Sequence, residues 1–181
     1  MKFTKLKKTV LATALVMAAT TATAADNFIE VGADAMLYNN DFKEETSLDS
    51  GWALNARWGT LGNTGLYAWG SYEQPDVKYS REQISRIKTW GVGGGLRVPF
   101  DNGVYVFTEL GYYFPSDGKG IDINYDGDIG GSIGAGYDIN DNWTVSAKYR
   151  ILKLDAQNEA GANAVSNADM SAVAIGVSYR F

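Results

Sequence analysis

Residues 172–181 read AVAIGVSYRF. Val173, Ile175, Val177, Tyr179 and Phe181 fall on one side of an extended chain, and Ala172, Ala174, Gly176, Ser178 and Arg180 on the other. Side chains of a strand point alternately to its two faces, so this spacing predicts a strand with one apolar face and one small or polar face. A helix would scatter the same apolar residues around its circumference.

The period recurs upstream. Residues 27–38 place Ile29, Val31, Ala33, Ala35 and Leu37 opposite Glu30, Gly32, Asp34 and Met36. Residues 51–59 place Trp52, Leu54, Ala56 and Trp58 opposite Ala53, Asn55 and Arg57. In residues 65–72, Leu66, Ala68 and Tyr72 compete with Tyr67 and Trp69, and the pattern assigns no facing. Residues 87–98 set Trp90, Val92, Leu96 and Val98 against Gly91, Gly93, Gly95 and Arg97. The fifth run sets Val104, Val106, Leu110, Tyr112 and Phe114 against Tyr105, Phe107, Glu109 and Tyr113. Residues 129–139 oppose Ile133, Ala135 and Tyr137 to Ser132, Gly134, Gly136 and Asp138. The seventh run opposes Trp143, Val145, Ala147, Tyr149 and Ile151 to Thr144, Ser146, Lys148 and Arg150. With residues 172–181 the count is eight strands.

The connections alternate in length. Gly62-Asn63-Thr64, Asp101-Asn102-Gly103 and Asn140-Asp141-Asn142 are compact turns of residues that tolerate tight backbone angles. Polar stretches at 39–50, 73–85, 115–128 and 155–168 are long. Short and long connections in alternation are the wiring of a barrel that crosses an outer membrane, with brief periplasmic turns and longer external loops.

The polar face decides between lipid and water as the surroundings. It carries Glu30, Asp34, Arg57, Arg97, Glu109, Lys148, Arg150 and Arg180, of both signs. Eight strands enclose an interior only wide enough for side chains, where opposite charges satisfy one another. The apolar face then meets lipid, and Trp52, Trp58, Trp90, Tyr112, Phe114, Tyr137, Trp143, Tyr149, Tyr179 and Phe181 lie towards strand ends on it, as two aromatic girdles would. An open sheet edge would leave backbone groups unbonded in lipid, so the sheet must close. The expected fold is all-β: an eight-stranded antiparallel up-and-down transmembrane β-barrel. The competing fold, an exported soluble β-sandwich, would have to bury Trp and Tyr while the charged face stays wet.

Residues 1–25 stand apart. Lys2, Lys5, Lys7 and Lys8 precede the apolar stretch from Val10 to Ala19, and Ala22-Thr23-Ala24 is a small-residue cleavage site. The expected organisation is a signal peptide over 1–25 and one barrel domain over 26–181. The net charge of −5 becomes −9 once the leader's four lysines are removed, so the chain has no basic stripe for nucleic acid. There is no cysteine, which excludes a disulfide framework and a lipobox anchor. There is also no histidine, which closes triad, histidine-base and histidine-metal chemistry.

The run Val173, Ile175, Val177, Tyr179, Phe181 resembles the insertion signature of outer-membrane barrels. With the strand count, the whole mature chain resembles the small barrels typified by the transmembrane domain of outer membrane protein A and by outer membrane protein X. That resemblance implies the outer membrane of a Gram-negative cell, with membrane lipids and lipopolysaccharide around the barrel. It also implies periplasmic chaperones and the barrel assembly machinery as biogenesis partners. Outer membrane protein A continues into a peptidoglycan-binding domain; this chain stops at the barrel, so that role is not carried over. The enzymatic outer-membrane barrels each use a histidine near the external rim, so the resemblance extends to none of them.

Other motifs are weaker. Gly91, Gly93, Gly94 and Gly95, and Gly130, Gly131, Gly134 and Gly136, lie inside strands with no helix following, which favours close packing over phosphate binding. The acidic stretch DGKGIDINYDGD (117–128) has a calcium-loop look but lacks an EF-hand's closing Glu and flanking helices. Lys78, Arg81, Arg86 and Lys88 sit where lipid A phosphates would lie, or form an ordinary loop rim. The expected function is a non-catalytic barrel without cofactor or metal, structural in the envelope, with loops contacting lipopolysaccharide. The alternatives are an adhesin or receptor acting through its loops, and a narrow channel.

Overall fold

The computed structural model describes residues 27–38, 46–60, 64–79, 83–86, 88–116, 124–157 and 168–181. The expected leader and parts of all four long connections lie outside them. Among the described residues there are twelve strands: β1 (Asn27–Tyr38), β2 (Thr46–Thr60), β3 (Gly65–Tyr79), β4 (Gln83–Arg86), β5 (Lys88–Pro99), β6 (Val104–Ser116), β7 (Asn124–Asp126), β8 (Asp128–Asp138), β9 (Trp143–Ile151), β10 (Lys153–Gln157), β11 (Ala168–Asp169) and β12 (Ala172–Arg180). Eight of them, β1, β2, β3, β5, β6, β8, β9 and β12, pair antiparallel with their neighbours. The β1–β12 pairing closes the ring, so no edge of the barrel is left open to lipid.

The register fixes the barrel's shape. Phe28 pairs with Gly59, and the line of paired residues continues through Tyr67, Gly95, Glu109, Ser132, Arg150 and Ala172. It returns to β1 at Tyr38, a shear of ten residues. With strands about 4.8 Å apart and a rise of about 3.3 Å per residue, that shear tilts the strands by roughly 40° and gives a backbone radius of about 8 Å. Every residue on this circuit faces the interior.

The third strand, whose facing the pattern left open, turns Tyr67, Trp69 and Glu73 inward and Leu66 outward. The inward aromatics are seated by glycines on nearby strands. Tyr67 lies over Gly95, Tyr105 over Gly136, Phe107 over Gly134, and Trp69 against Gly93 and Gly111. A Cβ at Gly93 would stand 2.7 Å from the Trp69 ring, so the glycine clusters are the floor on which the interior rings rest.

Strands β2 and β3 are longer than their apolar alternation indicates. Polar stretches expected as loops carry strand at 46–50, 73–79 and 83–86, and again at 124–126 and 155–157. The periodicity fades there because a strand beyond the bilayer needs no lipid-facing side, while backbone pairing goes on. β4 extends the sheet from β3, and β7, β10 and β11 form a small sheet of their own.

Candidate functional site: the lumen charge network

Glu30, Asp34, Arg57, Arg97, Glu109, Lys148, Arg150 and Arg180 all point into the lumen, seven of them at most 7% exposed and Lys148 with a side chain 13% exposed. Alternation places them there: each lies an even number of residues from an inward neighbour on its strand. Three acids and five bases leave two positive charges unbalanced, and the structure supplies the missing carboxylates. Glu73 and Asp138 complete the set. Glu73 stood at the start of an apparent loop and Asp138 at the last turn-side position of its strand. The charge deficit itself was the signal that could have found them.

Among the described residues the lumen thus holds five acids and five bases. Arg57 is central: Nη1 donates to Glu30 Oε1 at 2.7 Å and Nε to Glu109 Oε1 at 3.1 Å. Glu109 also accepts from Ser132 Oγ at 2.8 Å and Tyr67 OH at 3.2 Å, with Lys148 Nζ 3.7 Å away. Towards the periplasmic end, Asp138 receives Arg97 and, at 3.1 Å, Arg180 Nη2. Arg180 Nη2 also reaches Glu30 Oε2 at 3.4 Å. Towards the external end, Glu73 receives both Arg150 and the Tyr38 hydroxyl, while Arg150 Nη2 donates to the Met170 carbonyl at 2.8 Å.

Aromatic faces complete the solvation of the cations. Arg97 lies 3.6 Å above the Tyr105 ring, Arg180 is 5.6 Å from Phe28, and Arg150 is 5.5 Å from Tyr113. Above the charges, Met36, Leu152, Leu154 and Met170 are almost fully buried and fill the external mouth. Two small voids, about 20 Å³ and 10 Å³, flank Arg57.

The outer wall is its converse. Ile29, Val31, Leu54, Leu110, Ile133, Ile151 and Ile175 are exposed. Thr108, a polar residue on this face, donates to the Ser132 carbonyl at 3.1 Å, so its hydroxyl is satisfied without water. The aromatics form two bands. Trp52, Tyr72 and Trp90 pack with tilted rings at the external end, ring centres 5.6 and 4.7 Å apart, beside the Tyr112–Phe114 pair. Trp143, Tyr179 and Phe181 meet at 5.0 and 4.9 Å at the other end. A shallow groove of about 750 Å³ between the bands is lined by Ala33, Ala56, Gly70 and Val92 among others. It opens on the apolar outer wall.

Val173, Ile175 and Val177 face lipid from β12, and Tyr179 and Phe181 end the lower band; the Phe181 N–H donates to the Ile29 carbonyl at 2.9 Å. Of the four basic residues considered for phosphate contact, Lys78 lies on β3 and Arg86 on β4, both beyond the external aromatic band. Lys88 opens β5 with an exposed side chain, and Arg81 falls outside the described residues. Most of the acidic stretch, 117–123, lies outside them as well.

The profile of the family described as outer membrane protein beta-barrel domain matches residues 10–181. No curated protein matches. Among solved structures the chain is similar to outer membrane protein OprG of Pseudomonas aeruginosa, with 15% identity, 87% of this chain and 96% of that chain covered, and a TM-score of 0.53. It is similar to Ail, the attachment invasion locus protein of Yersinia pestis, with 15% identity, coverage of 86% and 97%, and a TM-score of 0.52. Neisserial surface protein A follows with 10% identity, coverage of 85% and 95%, and a TM-score of 0.50. At these identities the likeness is one of fold.

Proposed function

The chain belongs to the outer membrane protein β-barrel domain family, and on that premise we propose that it is a non-catalytic envelope barrel, closed along its axis. The observation that carries this reading is the balanced lumen network, in which ten charged side chains neutralise one another inside an eight-stranded wall. Side chains fill a barrel of this size, and a filled lumen is a plug. The absence of histidine from the whole sequence supports a role without histidine-dependent catalysis.

The external rim is where such a barrel meets its surroundings. Lys78, Arg86 and Lys88 belong to the β3–β4–β5 corner, with Arg81 between β3 and β4 in sequence, and charge-assisted contacts from this group to lipopolysaccharide phosphates would tie the barrel to its leaflet. Val173, Ile175, Val177, Tyr179 and Phe181 serve recognition by the barrel assembly machinery after periplasmic chaperones deliver the exported chain. A second reading, an adhesin or receptor working through its loops, draws on the strand pairing that carries β2, β3 and β4, and β7, β10 and β11, past the apolar wall.

Two measurements test the proposal. Protein reconstituted in planar bilayers is expected to give no steady conductance; a stable ohmic pore overturns the closed-barrel reading. Changing Lys78, Arg81, Arg86 and Lys88 together to Gln is expected to weaken binding to lipopolysaccharide vesicles while heat-modifiable migration is retained. Unchanged binding overturns the phosphate contact.

A further inference from the structure

We propose that the larger lumen void is an internal hydration site that holds one water molecule among side chains of β1, β2, β3, β6 and β9. The void of about 20 Å³ is walled by Asp34, Asn55 and Arg150, together with Ala53, Trp69 and Lys148. A cavity needs roughly 10–15 Å³ of this measure to hold one water, so the void fits one and not a column.

Its chemistry is that of a water site. Among the described residues, Asn55 Nδ2 and Arg150 Nε are buried and reached by no acceptor, and Asp34 Oδ2 by no hydrogen-bond donor. Lys148 Nζ lies 2.8 Å from Asp34 Oδ2, an ion pair off the direction of a hydrogen bond. The three side chains are at most 8% exposed. Buried polar groups left unbonded are costly, and an internal water typically makes about three hydrogen bonds. Here it accepts from Asn55 and Arg150 and donates to Asp34. An anion would meet three carboxylates, from Asp34, Glu73 and Glu109, on the same wall, and a cation would meet Arg57, Lys148 and Arg150. A neutral molecule with both donor and acceptor capacity suits the wall as a whole.

Side chains bound the site along the barrel axis. The Arg57 guanidinium, tied to Glu30 and Glu109, stands below it. Met36 lines it from the other side, and the Arg150 that borders it is held by the Met170 carbonyl. A water held there by about three hydrogen bonds exchanges slowly with bulk.

The test uses isotope-labelled full barrel refolded in detergent micelles, with water itself as the probe. Magnetisation transfer from water to the Asn55 side-chain amide and to Arg150 Nε–H is expected, with opposite signs in the laboratory and rotating frames, the mark of a long-lived water. Ala53→Val puts two methyl groups at the void's wall and is expected to abolish both transfers while heat-modifiable migration is kept. If that variant does not fold, Asn55→Leu serves, with loss of the transfer to Arg150 expected. No transfer in the unaltered protein, transfer that persists in the filled variant, or transfer with the signature of freely exchanging water each overturns the proposal. The last result would mean an open water column, which conductance measures separately.

Discussion

Tyr67 lies flat over Gly95, its paired residue across β3 and β5, so closely that a Cβ at position 95 would overlap the ring. Tyr105 stands in the same relation to Gly136, and Phe107 to Gly134. Paired ring and glycine are the unit from which the lower lumen is built. The ring fills the space of two side chains, and Arg57 packs 5.9 Å from the Tyr67 ring and 5.7 Å from the Phe107 ring.

Gly95→Ala is therefore expected to destabilise the barrel by about 1–3 kcal/mol, the usual cost of overpacking. Urea titration in lipid vesicles measures it. In a Tyr67→Ala background the same substitution should cost much less, because the obstructing ring is gone; an unchanged cost would show that Gly95 matters for its backbone instead.

The Glu73–Arg150 pair is buried on both sides, with the Tyr38 hydroxyl bonded to Glu73. Glu73→Ala leaves Arg150 without its counter-charge and is expected to cost about 3–5 kcal/mol. Glu73→Gln combined with Arg150→Met removes both charges and should recover part of that loss. A double variant as unstable as Glu73→Ala alone would argue that the pair contributes through its shape and not through its charges.

Leu110 is 57% exposed on the outer wall of β6, between the two aromatic bands. Leu110→Arg is expected to cost about 2–4 kcal/mol in a bilayer, as for a charge near the midplane of a barrel's lipid face. The same change at a water-exposed site would be close to neutral, so the size of the effect reports how deep β6 lies in the bilayer.

Deletion of Phe181 removes one ring from the lower band and the N–H bond to Ile29. Assembly is expected to fall while export is unaffected: the protein should accumulate in the periplasm in a form that does not shift on heating. Full assembly of the shortened chain would remove Phe181 from the insertion signature.

How far the sequence carries differs between wall and interior. The strands could be read because each must show lipid one apolar face, and Ile29 to Leu37 or Val173 to Phe181 declare that face residue by residue. The facing of 65–72 was hidden because its inward side is also aromatic; Tyr67 and Trp69 look lipid-facing until Gly93, Gly95 and Gly111 are seen beneath them. The outer parts of β2 and β3 were hidden for the opposite reason, since strands above the membrane keep pairing without keeping a pattern. The lumen charges could be named from alternation alone, but their partners could not. Partnership depends on the shear, which appears in no single strand.

The ion pairs of the lumen join residues far apart in the chain: Arg57 with Glu109 across 52 positions, Arg150 with Glu73 across 77, and Arg180 with Glu30 across 150. None of them is local enough to guide early structure, and folding slows as contacts become more distant in sequence. Closure of β12 on β1 is accordingly expected to come late in folding, and before it the interior carries unmatched charge. A chain arrested at that stage presents two raw strand edges at once, each able to pair with another arrested copy, so misassembly competes with completion until the final seam is made.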